Sequence, residues 1–193
     1  MKNLIAIIMM LLTTNCSSAQ DDVNINETNT DNMKILVVYY SWSGNTEIVA
    51  NQIKEITDAD IFEIELVEPF STDYSTVAQE YREDNRTGTI RKLKKTVEDL
   101  SSYDVIFVGT PIWGGTRALP MKSFLHEHDL NGKTVVPFTT HGGGGAGSCF
   151  SDMKKEAPKA VFKEGLSLNG SQASNSKARI EEWLLKIGIV KQQ

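Results

Sequence analysis

A run of small polar residues follows the first strongly apolar segment of the chain, and its composition suits the binding of an anion. Five of the seven residues 34–40 are β-branched or aromatic, which predicts a strand buried on both faces. A helical pattern begins at Glu47. Backbone N–H groups of the intervening turn, its hydroxyls and the dipole of the helix all favour negative charge. The pattern therefore predicts a phosphate site at Ser41-Trp42-Ser43-Gly44-Asn45-Thr46.

The loop lacks a basic side chain, and this indicates which kind of phosphate it would bind. A loop that binds nucleoside triphosphates carries lysine in the pattern G-x-x-x-x-G-K-[ST], and residues 41–46 include no basic side chain. Neutral donors suit the terminal monophosphate of a ligand better than a triphosphate with its magnesium ion. The alternative interpretation is an ordinary strand-to-helix turn capped by serine or asparagine.

The Ser41-x-Ser43-Gly44-Asn45-Thr46 loop after an apolar strand resembles the phosphate-binding signature of flavodoxins. The resemblance runs from about Met33 to the C-terminus and is closest to short-chain, exported bacterial flavodoxins. Its other specific matches are Pro111-Ile112-Trp113-Gly114 and Thr140-His141-Gly142-Gly143. The resemblance implies flavin mononucleotide (FMN) as a non-covalent cofactor, with its phosphate bound by Ser41, Ser43, Gly44, Asn45 and Thr46.

Two further loops are expected beside the flavin ring, because the resemblance places the loops after the third and fourth strands there. Trp113 offers a flat surface for stacking on the isoalloxazine, and the alternative is a ring packed against a helix. Trp42 covers the other face of the flavin or shields the phosphate. Gly114 and Gly115 would let the peptide beside flavin N5 turn over on reduction, since glycine adopts either sign of φ. The expected ring-contacting residues are Thr110, Pro111, Ile112, Trp113, Gly114, Gly115, Thr140, His141 and Gly142.

The glycine-rich stretch after the fourth strand has a second interpretation. Gly142-x-Gly144-x-x-Gly147 formally matches the dinucleotide-binding fingerprint. That fingerprint follows a first strand and needs an acidic residue at the end of a second strand, and neither condition is met. The glycines are therefore interpreted as letting the backbone approach the flavin closely. His141 either contacts the ring, where its titration would tune the reduced flavin, or caps the end of the strand.

The remaining reactive side chains carry weaker signals. His126 and His128 lie two residues apart on a predicted helix, so their rings diverge and no shared metal ion is expected. Cys149 is the only thiol besides Cys16, which excludes a disulfide within the mature domain. It is either a thiol of low pKa at a helix N-terminus or, more commonly for this residue type, a small buried hydrophobe. No acid, base or nucleophile is predicted to act in catalysis.

Alternating strands and helices must position these loops, and they predict an α/β fold. Further strands are expected at residues 61–66, 105–109, 134–139 and 161–168, and helices at 119–127, at 148–156 and after Ser176. Continuous apolar runs mark central strands, whereas alternating runs mark edges. The prediction is a doubly wound, five-stranded parallel sheet in the order 2-1-3-4-5, a flavodoxin-like three-layer sandwich. Pro137 removes a donor from a strand predicted to be central, and a bulge would accommodate it.

The segment between the second and third strands is less regular. Residues 73–99 look helical in pieces, with an interruption near Thr87 and Gly88. The basic run at residues 91–95 is interpreted as a solvated helix face, and a binding patch is the minority alternative.

Length, composition and net charge limit the classes of protein to which this chain could belong. The 193 residues, with 40% apolar and 23% charged side chains, indicate one folded domain, at residues 33–193. The net charge of −5 argues against nucleic acid as a partner. Residues 20–32, rich in Asp, Asn and Thr, are expected to form a flexible linker.

Residues 1–19 are predicted to be a signal peptide, because Lys2 precedes an apolar run too short to span a bilayer. Cys16 resembles the acylated cysteine of a bacterial lipoprotein, although the preceding Asn15 departs from the usual small residue. Ser17-Ser18-Ala19 offers an ordinary cleavage site instead. Lipidation at Cys16 is the favoured hypothesis, and it predicts an exported protein, periplasmic or anchored to a bacterial membrane through its lipid alone.

The expected function is electron transfer through FMN, with a redox partner protein or a small oxidant. Small size and acidic net charge favour an electron carrier, the preferred interpretation. Arg117 and His141 would instead favour an NAD(P)H-dependent quinone or nitro reductase, because positive charge stabilises a reduced, anionic flavin. The chain also lacks the tyrosine that carrier flavodoxins usually place after the fourth strand. A flavin-free binding module on the same fold is the third alternative.

Overall fold

The computed structural model describes residues 33–191, in which a parallel sheet lies between two layers of helices. The strands are β1 (Ile35–Tyr39), β2 (Asp60–Glu63), β3 (Val105–Trp113), β4 (Thr116–Arg117), β5 (Thr134–His141), β6 (Val161–Phe162) and β7 (Leu166–Asn169). The helices are α1 (Asn45–Thr57), α2 (Tyr74–Thr87), α3 (Leu119–Glu127), α4 (Cys149–Glu156) and α5 (Lys177–Lys186). Short 3₁₀ turns occupy Leu100–Ser102 and Gly170–Asn175.

The strand order confirms the predicted topology. The sheet runs β2-β1-β3-β5, and β6 and β7 follow one another along the fifth position. All of these pairings are parallel, and β4 alone pairs antiparallel, with the end of β3. The strands read as continuous apolar runs are central, and the alternating ones lie at the edges. The predicted signal peptide, Cys16 and the linker lie outside the described residues.

Successive residues of β1 face two separate cores, as the alternation of side chains along a strand requires. Val37 faces the core beneath α1 and α5, which includes Ile53 and Leu184. Val38 faces the core beneath α3 and α4, which includes Phe124. Both valines are fully buried. A strand covered on both faces explains the run of β-branched residues, and it fixes where the following loop must emerge.

Pro137 lies opposite an interruption in the edge strand and not at a bulge. The carbonyl of Val135 accepts a hydrogen bond from Lys163 N–H, so this residue of β5 bonds toward the edge. Backbone groups two residues further along a strand point the same way, and Pro137 therefore faces residues 163–165, which separate β6 from β7. Its missing N–H breaks no ladder bond, because the edge has no strand there.

The segment after α2 differs from the prediction. Helix α2 ends at Thr87 and is followed by Gly88 in the left-handed conformation, but residues 91–95 form no helix. Leu93 forms an antiparallel bridge with Leu66. Ion pairs occupy much of the basic run, since Arg91 binds Asp84 and Lys94 and Lys95 bind Glu65. The interpretation as a helix face is wrong because residues 91–95 form no helix and Leu93 pairs with Leu66 instead.

Strand β3 continues four residues beyond its predicted end. Thr110–Trp113, expected to be loop, extend the strand, and β4 returns beside them as a hairpin. Gly114 and Gly115 form its two-residue turn with φ of 55° and 82°, the left-handed pair that such hairpins favour. Among residues 33–191, no helix has the length and apolar character needed to cross a bilayer.

The close approach of β3 and β5 yields the first prediction. A Cβ atom at Gly109 would lie 2.0 Å from the Phe138 ring, which covers this glycine from the neighbouring strand. We expect Gly109→Ala to lower the free energy of unfolding by about 2–3 kcal/mol, as overpacking of a core does. Urea denaturation measures it. Gly144→Ala, where no atom lies within 4 Å of the added methyl, is the control and should leave the midpoint unchanged.

Candidate functional site

A cleft of about 670 Å³ opens at the carboxyl edge of the sheet. Loops after β1, β3 and β5 meet there, where open α/β sheets bind their ligands. Two walls come from elsewhere: helix α2 on one side and the turn after β7 on the other. The lining residues are Trp42, Ser43, Asn45, Tyr74, Val77, Ala78, Tyr81, Pro111, Ile112, Trp113, Gly114, Thr140, His141, Gly142, Asn169, Gly170 and Ser171.

The polar loop after β1 leaves the first turn of α1 open to a ligand. Gly44 is the N-cap residue, with φ of 86°, and no side chain caps the helix. Without such a cap, the N–H groups of the first turn remain donors for an anion. Ser43 and Asn45 line the cleft beside them, and the Asn45 amide donates to Ser43 Oγ at 3.3 Å. The predicted phosphate loop thus has the geometry of an anion site.

Two hydroxyls of this loop lie deeper. Ser41 borders an adjoining cavity of about 290 Å³, and its Oγ is buried without a hydrogen-bond partner. Thr46 is buried, and its Oγ1 hydrogen-bonds Thr140 Oγ1 at 2.8 Å. This bond joins the loop after β1 to the end of β5. Of the two hydroxyls, that of Ser41 remains available to a ligand oxygen, whereas Thr46 serves the fold.

Trp113 lies on the cleft wall inside a cage of three aromatic rings. Tyr40, Phe70 and Tyr81 each meet it edge-on, with ring centroids 5.7, 5.1 and 6.0 Å away. The Arg91 guanidinium covers Phe70 from outside, 3.7 Å from that ring's centroid. Edge-to-face contacts fix the orientation of an aromatic side chain. The indole contacts α2 through Tyr81 and also lines the cleft, so packing against a helix is observed and stacking on the isoalloxazine stays a prediction.

The second tryptophan of the site stands near the mouth of the cleft. Its indole Nε1–H donates to the carbonyl of Ser71 at 2.9 Å, and its ring lies 6.3 Å from that of Tyr74. Tyr74 is 76% exposed. Trp42 is thus held at the rim, beside the phosphate loop and across from the β3–β4 hairpin.

Helix α4 holds the β3–β4 hairpin from below. Ser148 N–H donates to the carbonyl of Gly115 at 2.9 Å, and the Asp152 carboxylate accepts from Thr116 Oγ1 at 2.8 Å. Arg117 forms a two-pronged ion pair with Glu156 and is only 8% exposed. The expectation that Arg117 supplies positive charge beside the ring is wrong, because its guanidinium faces α4 and does not line the cleft.

The loop after β5 uses its glycines to reach this hairpin. A Cβ atom at Gly147, whose φ is 55°, would lie 2.0 Å from the carbonyl oxygen of Gly115. His141 lines the cleft, and its Nδ1 accepts from Gly143 N–H at 3.0 Å, so the neutral ring carries its proton on Nε2. His141 ends the strand and lines the cleft, and its contact with a flavin ring stays a prediction. Thr140 and Gly142 line the cleft beside it.

Five of the expected cofactor contacts do not line the cleft: Ser41, Gly44, Thr46, Thr110 and Gly115. Thr110 is fully buried, and its Oγ1 accepts from Ala118 N–H. Gly44 and Gly115 form turns. The sequence analysis in turn missed two walls of the site: residues 74–81 of α2 and residues 169–171. Tyr74, Val77, Ala78 and Tyr81 share one helical face, which the spacing i, i+3, i+4 and i+7 could have revealed.

The lining is electrically neutral. Among residues 33–191, the lining includes no aspartate, glutamate, lysine or arginine. Dipoles therefore dominate the electrostatics: the N-terminus of α1, peptide groups and hydroxyls. An anion bound here is stabilised by hydrogen bonds and not by ion pairs.

The surroundings of His128 and Cys149 show what each side chain does. His128 stacks on Phe124 at 4.2 Å, its Nε2 accepts from Val97 N–H, and its Nδ1 bonds the Phe124 carbonyl. Both ring nitrogens thus serve the fold. Cys149 is fully buried, and burial raises the pKa of its thiol to about 12. It is the buried hydrophobe and not a reactive thiolate.

Comparison with known proteins agrees with this geometry. A family model described as flavodoxin matches residues 34–187. The chain belongs to the flavodoxin family. A protein from Bacteroides eggerthii proposed to be a flavoprotein is 31% identical, with a TM-score of 0.72 over 83% of this chain and 100% of that one. A flavoprotein from Lactobacillus acidophilus, solved in complex with FMN, is 26% identical, with a TM-score of 0.63 over 74% and 97% of the two chains.

Curated relatives carry an enzyme name. The NAD(P)H dehydrogenase (quinone) of Cupriavidus metallidurans is 32% identical over 123 residues, which are 57% of this chain and 59% of that protein. A protein of the same name from Rhodopseudomonas palustris is 35% identical over 127 residues. The chain spans about three fifths of the length of these relatives.

The cofactor of the flavodoxin family fits the residues of this cleft. The uncapped first turn of α1, with Ser43 and Asn45 beside it, offers neutral donors for a phosphate. Trp42 and Trp113 are flat apolar surfaces for an isoalloxazine ring. Membership of the family and the FMN complex of a relative support the expected cofactor, FMN.

Asp152 generates the second prediction. Its carboxylate accepts from Ser148 Oγ, Lys155 Nζ and Thr116 Oγ1, and these bonds hold its pKa well below the usual range. A carboxyl group whose pKa is lower in the folded protein than in the unfolded chain stabilises the fold at pH values above its unfolded pKa, which is near 4. This stabilisation is lost as the pH falls toward the pKa of the folded state.

We therefore expect Asp152→Asn to lower the free energy of unfolding by about 1–2 kcal/mol at pH 7, with a smaller difference below pH 4. Urea titrations between pH 3 and pH 8 measure the free energy of unfolding of the wild-type protein and of Asp152→Asn. Asp129→Asn, at an exposed aspartate that caps a turn away from the hairpin, is the comparison variant. A difference between wild type and Asp152→Asn that is constant across this range would contradict the assignment.

Proposed function

We propose that this flavodoxin binds FMN in the cleft at the carboxyl edge of the sheet and transfers electrons to a redox partner protein or a small oxidant. The observation that carries the proposal is the juxtaposition of an uncapped α1 N-terminus with Trp42 and Trp113 around one neutral cleft. A phosphate and a flat ring are the two ligand parts that these groups suit.

The residues of the chain bind, orient and shield, while the cofactor supplies the chemistry. FMN, when bound, takes up and releases electrons. Ser43, Asn45 and the N–H groups of α1 hold the phosphate end. The caged indole of Trp113 presents a fixed surface, and the His141 ring lines the same wall. No side chain of the cleft is assigned as an acid, base or nucleophile in catalysis.

NAD(P)H-dependent reduction of quinones is the second candidate function. Two observations favour it: the name of the curated relatives, and a cleft whose lining is neutral where an acidic surround would favour a low-potential carrier. The net charge of −5 and the small domain favour the carrier. Anaerobic incubation of the FMN-loaded protein with NADPH separates the two, since rapid bleaching and turnover with menadione would identify a reductase.

Binding of the phosphate end is tested by placing a charge beside it. Ser43→Asp should weaken FMN binding at least about a hundredfold, because like charges about 4 Å apart repel by about 4 kcal/mol near a protein surface. Quenching of FMN fluorescence measures the dissociation constant. Ser151→Asp, which adds the same charge on the exposed surface of α4, is the matched control. Failure of the wild-type protein to bind FMN would contradict the proposal and support the alternative function, a flavin-free binding module on the same fold.

We also propose that the chain is exported and anchored to a bacterial membrane through acylated Cys16. The support is sequence alone: Lys2, the apolar run of residues 4–12 and the cysteine after it. Cys16→Ser should move the protein from the membrane fraction to the soluble one, as measured by immunoblot after fractionation. A native N-terminus at Gln20 would show that an ordinary signal peptidase removes residues 1–19.

A further inference from the structure

The turn that follows β7 borders the cleft at the end where α1 begins. Asn169, Gly170 and Ser171 line the cleft together with Ser43 and Asn45 of the loop after β1. The Asn169 side chain accepts from the N–H of Ser171 at 3.1 Å and from its Oγ at 2.9 Å, which closes the turn. A turn that carries no phosphate-binding motif in the sequence therefore forms part of the wall around the proposed phosphate site.

Two hydrogen bonds fix the 3₁₀ turn Gly170–Asn175 along the side of α1. The Gln52 amide donates to the carbonyl of Ala173 at 2.9 Å, and Ser176 Oγ donates to Gln52 Oε1 at 3.0 Å. Ala173 and Ser176 are both buried. Because Gln52 follows Asn45 by about two helical turns, both residues lie on one face of α1. The 3₁₀ turn thus runs beside this face, with its first residue at the N-terminus of the helix.

Gly170 lies against the side chain of Asn45. A Cβ atom at Gly170 would lie 2.7 Å from Asn45 Nδ2 and 3.2 Å from Asn45 Cγ. The φ of Gly170 is not positive, so its backbone conformation does not itself require glycine. The requirement comes from space, because the amide of Asn45 occupies the position that a side chain at residue 170 would take.

The Asn45 amide is held between this glycine and the phosphate loop. Its Nδ2 donates to Ser43 Oγ at 3.3 Å, and Asn45 is the first residue of α1. An amide N–H₂ group has two donors, so it can serve Ser43 and a ligand oxygen together. No side chain caps the helix, and the amide lies beside the open N–H groups of its first turn. The position of one neutral donor at this end of the cleft therefore depends on Gly170.

We propose that Gly170 is a positioning residue, which lets the Asn45 amide reach a terminal phosphate in the cleft and thereby sets the preference of the site for FMN over riboflavin. The inference rests on the proposed function, which places the phosphate of FMN at the N-terminus of α1. Among residues 33–191, the lining includes no lysine or arginine, so the selectivity for a phosphate depends on neutral donors. Each of these donors matters because a hydrogen bond to a charged acceptor is stronger than one between neutral groups.

Gly170→Ala tests the proposal with a single methyl group. The methyl takes the space of the Asn45 amide, which is the end of a flexible side chain and turns away at little cost to the fold. We expect the dissociation constant of FMN to rise about tenfold, because a hydrogen bond to a charged group is lost. The dissociation constant of riboflavin, which has no phosphate, should stay unchanged. Quenching of flavin fluorescence measures both constants.

A double-mutant cycle shows whether the effect acts through Asn45. Asn45→Ala removes the amide, so the further change Gly170→Ala should raise the dissociation constant of FMN no more. Ser174→Ala is the matched control, because it introduces alanine at an exposed position of the same 3₁₀ turn, outside the cleft lining. It should change neither dissociation constant.

A further measurement requires no cofactor. In the apoprotein, Gly170→Ala should shift the NMR resonances of the Asn45 side-chain amide, because the added methyl displaces that group. The midpoint of thermal unfolding should stay the same, since no buried contact is lost. Ser174→Ala should leave the amide resonances and the midpoint unchanged.

The outcomes separate the inference from the function on which it rests. A loss of FMN affinity that riboflavin does not share, and that disappears in the Asn45→Ala background, supports the inference. An unchanged dissociation constant of FMN in Gly170→Ala, an equal loss for both flavins, or additive effects in the cycle overturns it. So does a wild-type protein that binds riboflavin as tightly as FMN. A wild-type protein that binds neither flavin overturns the proposed function, and the inference with it, even where the amide resonances shift.

Discussion

The burial of β1 on both faces is the constraint on which the rest of the site depends. Val37 and Val38 belong to opposite cores and are both fully buried, so the chain cannot turn until the strand leaves the sheet. It then turns at Gly44 in the left-handed conformation and enters α1 without a side-chain cap. The open amides of that helix thus arise from the way a doubly covered strand must end. The same edge of the sheet receives β3 and β5, which bring Trp113 and His141 to the same cleft.

Hydrophobic runs were sufficient to predict the strands, their order and the edge to which the loops converge. They failed where the structure is decided by pairings that hydrophobic runs do not show. Residues 91–95 look like a charged helix face, yet Leu93 pairs with Leu66 and Arg91 with Asp84. Thr110–Trp113 look like a loop because glycine precedes them and proline lies among them, yet β4 supplies a partner that turns them into strand. Local sequence does not encode such partners, and the register of a hairpin shows only once its turn is recognised.

The sequence likewise predicted one part of the candidate site and missed another. The loops after β1, β3 and β5 were predictable because their glycines and hydroxyls stand directly after apolar strands. The α2 wall gave a weaker signal, because its helix is polar overall and the face of Tyr74, Val77, Ala78 and Tyr81 lies among charged neighbours. The direction in which a side chain points was equally hidden. Arg117 follows the hairpin and looks poised over the ring, but Glu156 lies 39 residues later and turns its guanidinium away.

A neutral wall changes which groups can tune a bound flavin. Where carboxylates or guanidinium groups line a site, a unit charge near the ring dominates its potential, and screening by salt then modulates it. Here Glu156 neutralises Arg117, Asp84 neutralises Arg91, and the cleft holds no acidic or permanently basic side chain. The remaining influences are peptide dipoles, the ring of His141 and the orientation of the carbonyls at the hairpin tip. Because dipoles act over short distances and depend on direction, the geometry of a few hydrogen bonds would tune a flavin in such a cleft more than the number of charges does. Among these bonds, the carbonyl of Trp113 accepts from Tyr81 of α2, and the carbonyl of Gly115 accepts from Ser148, the residue before α4.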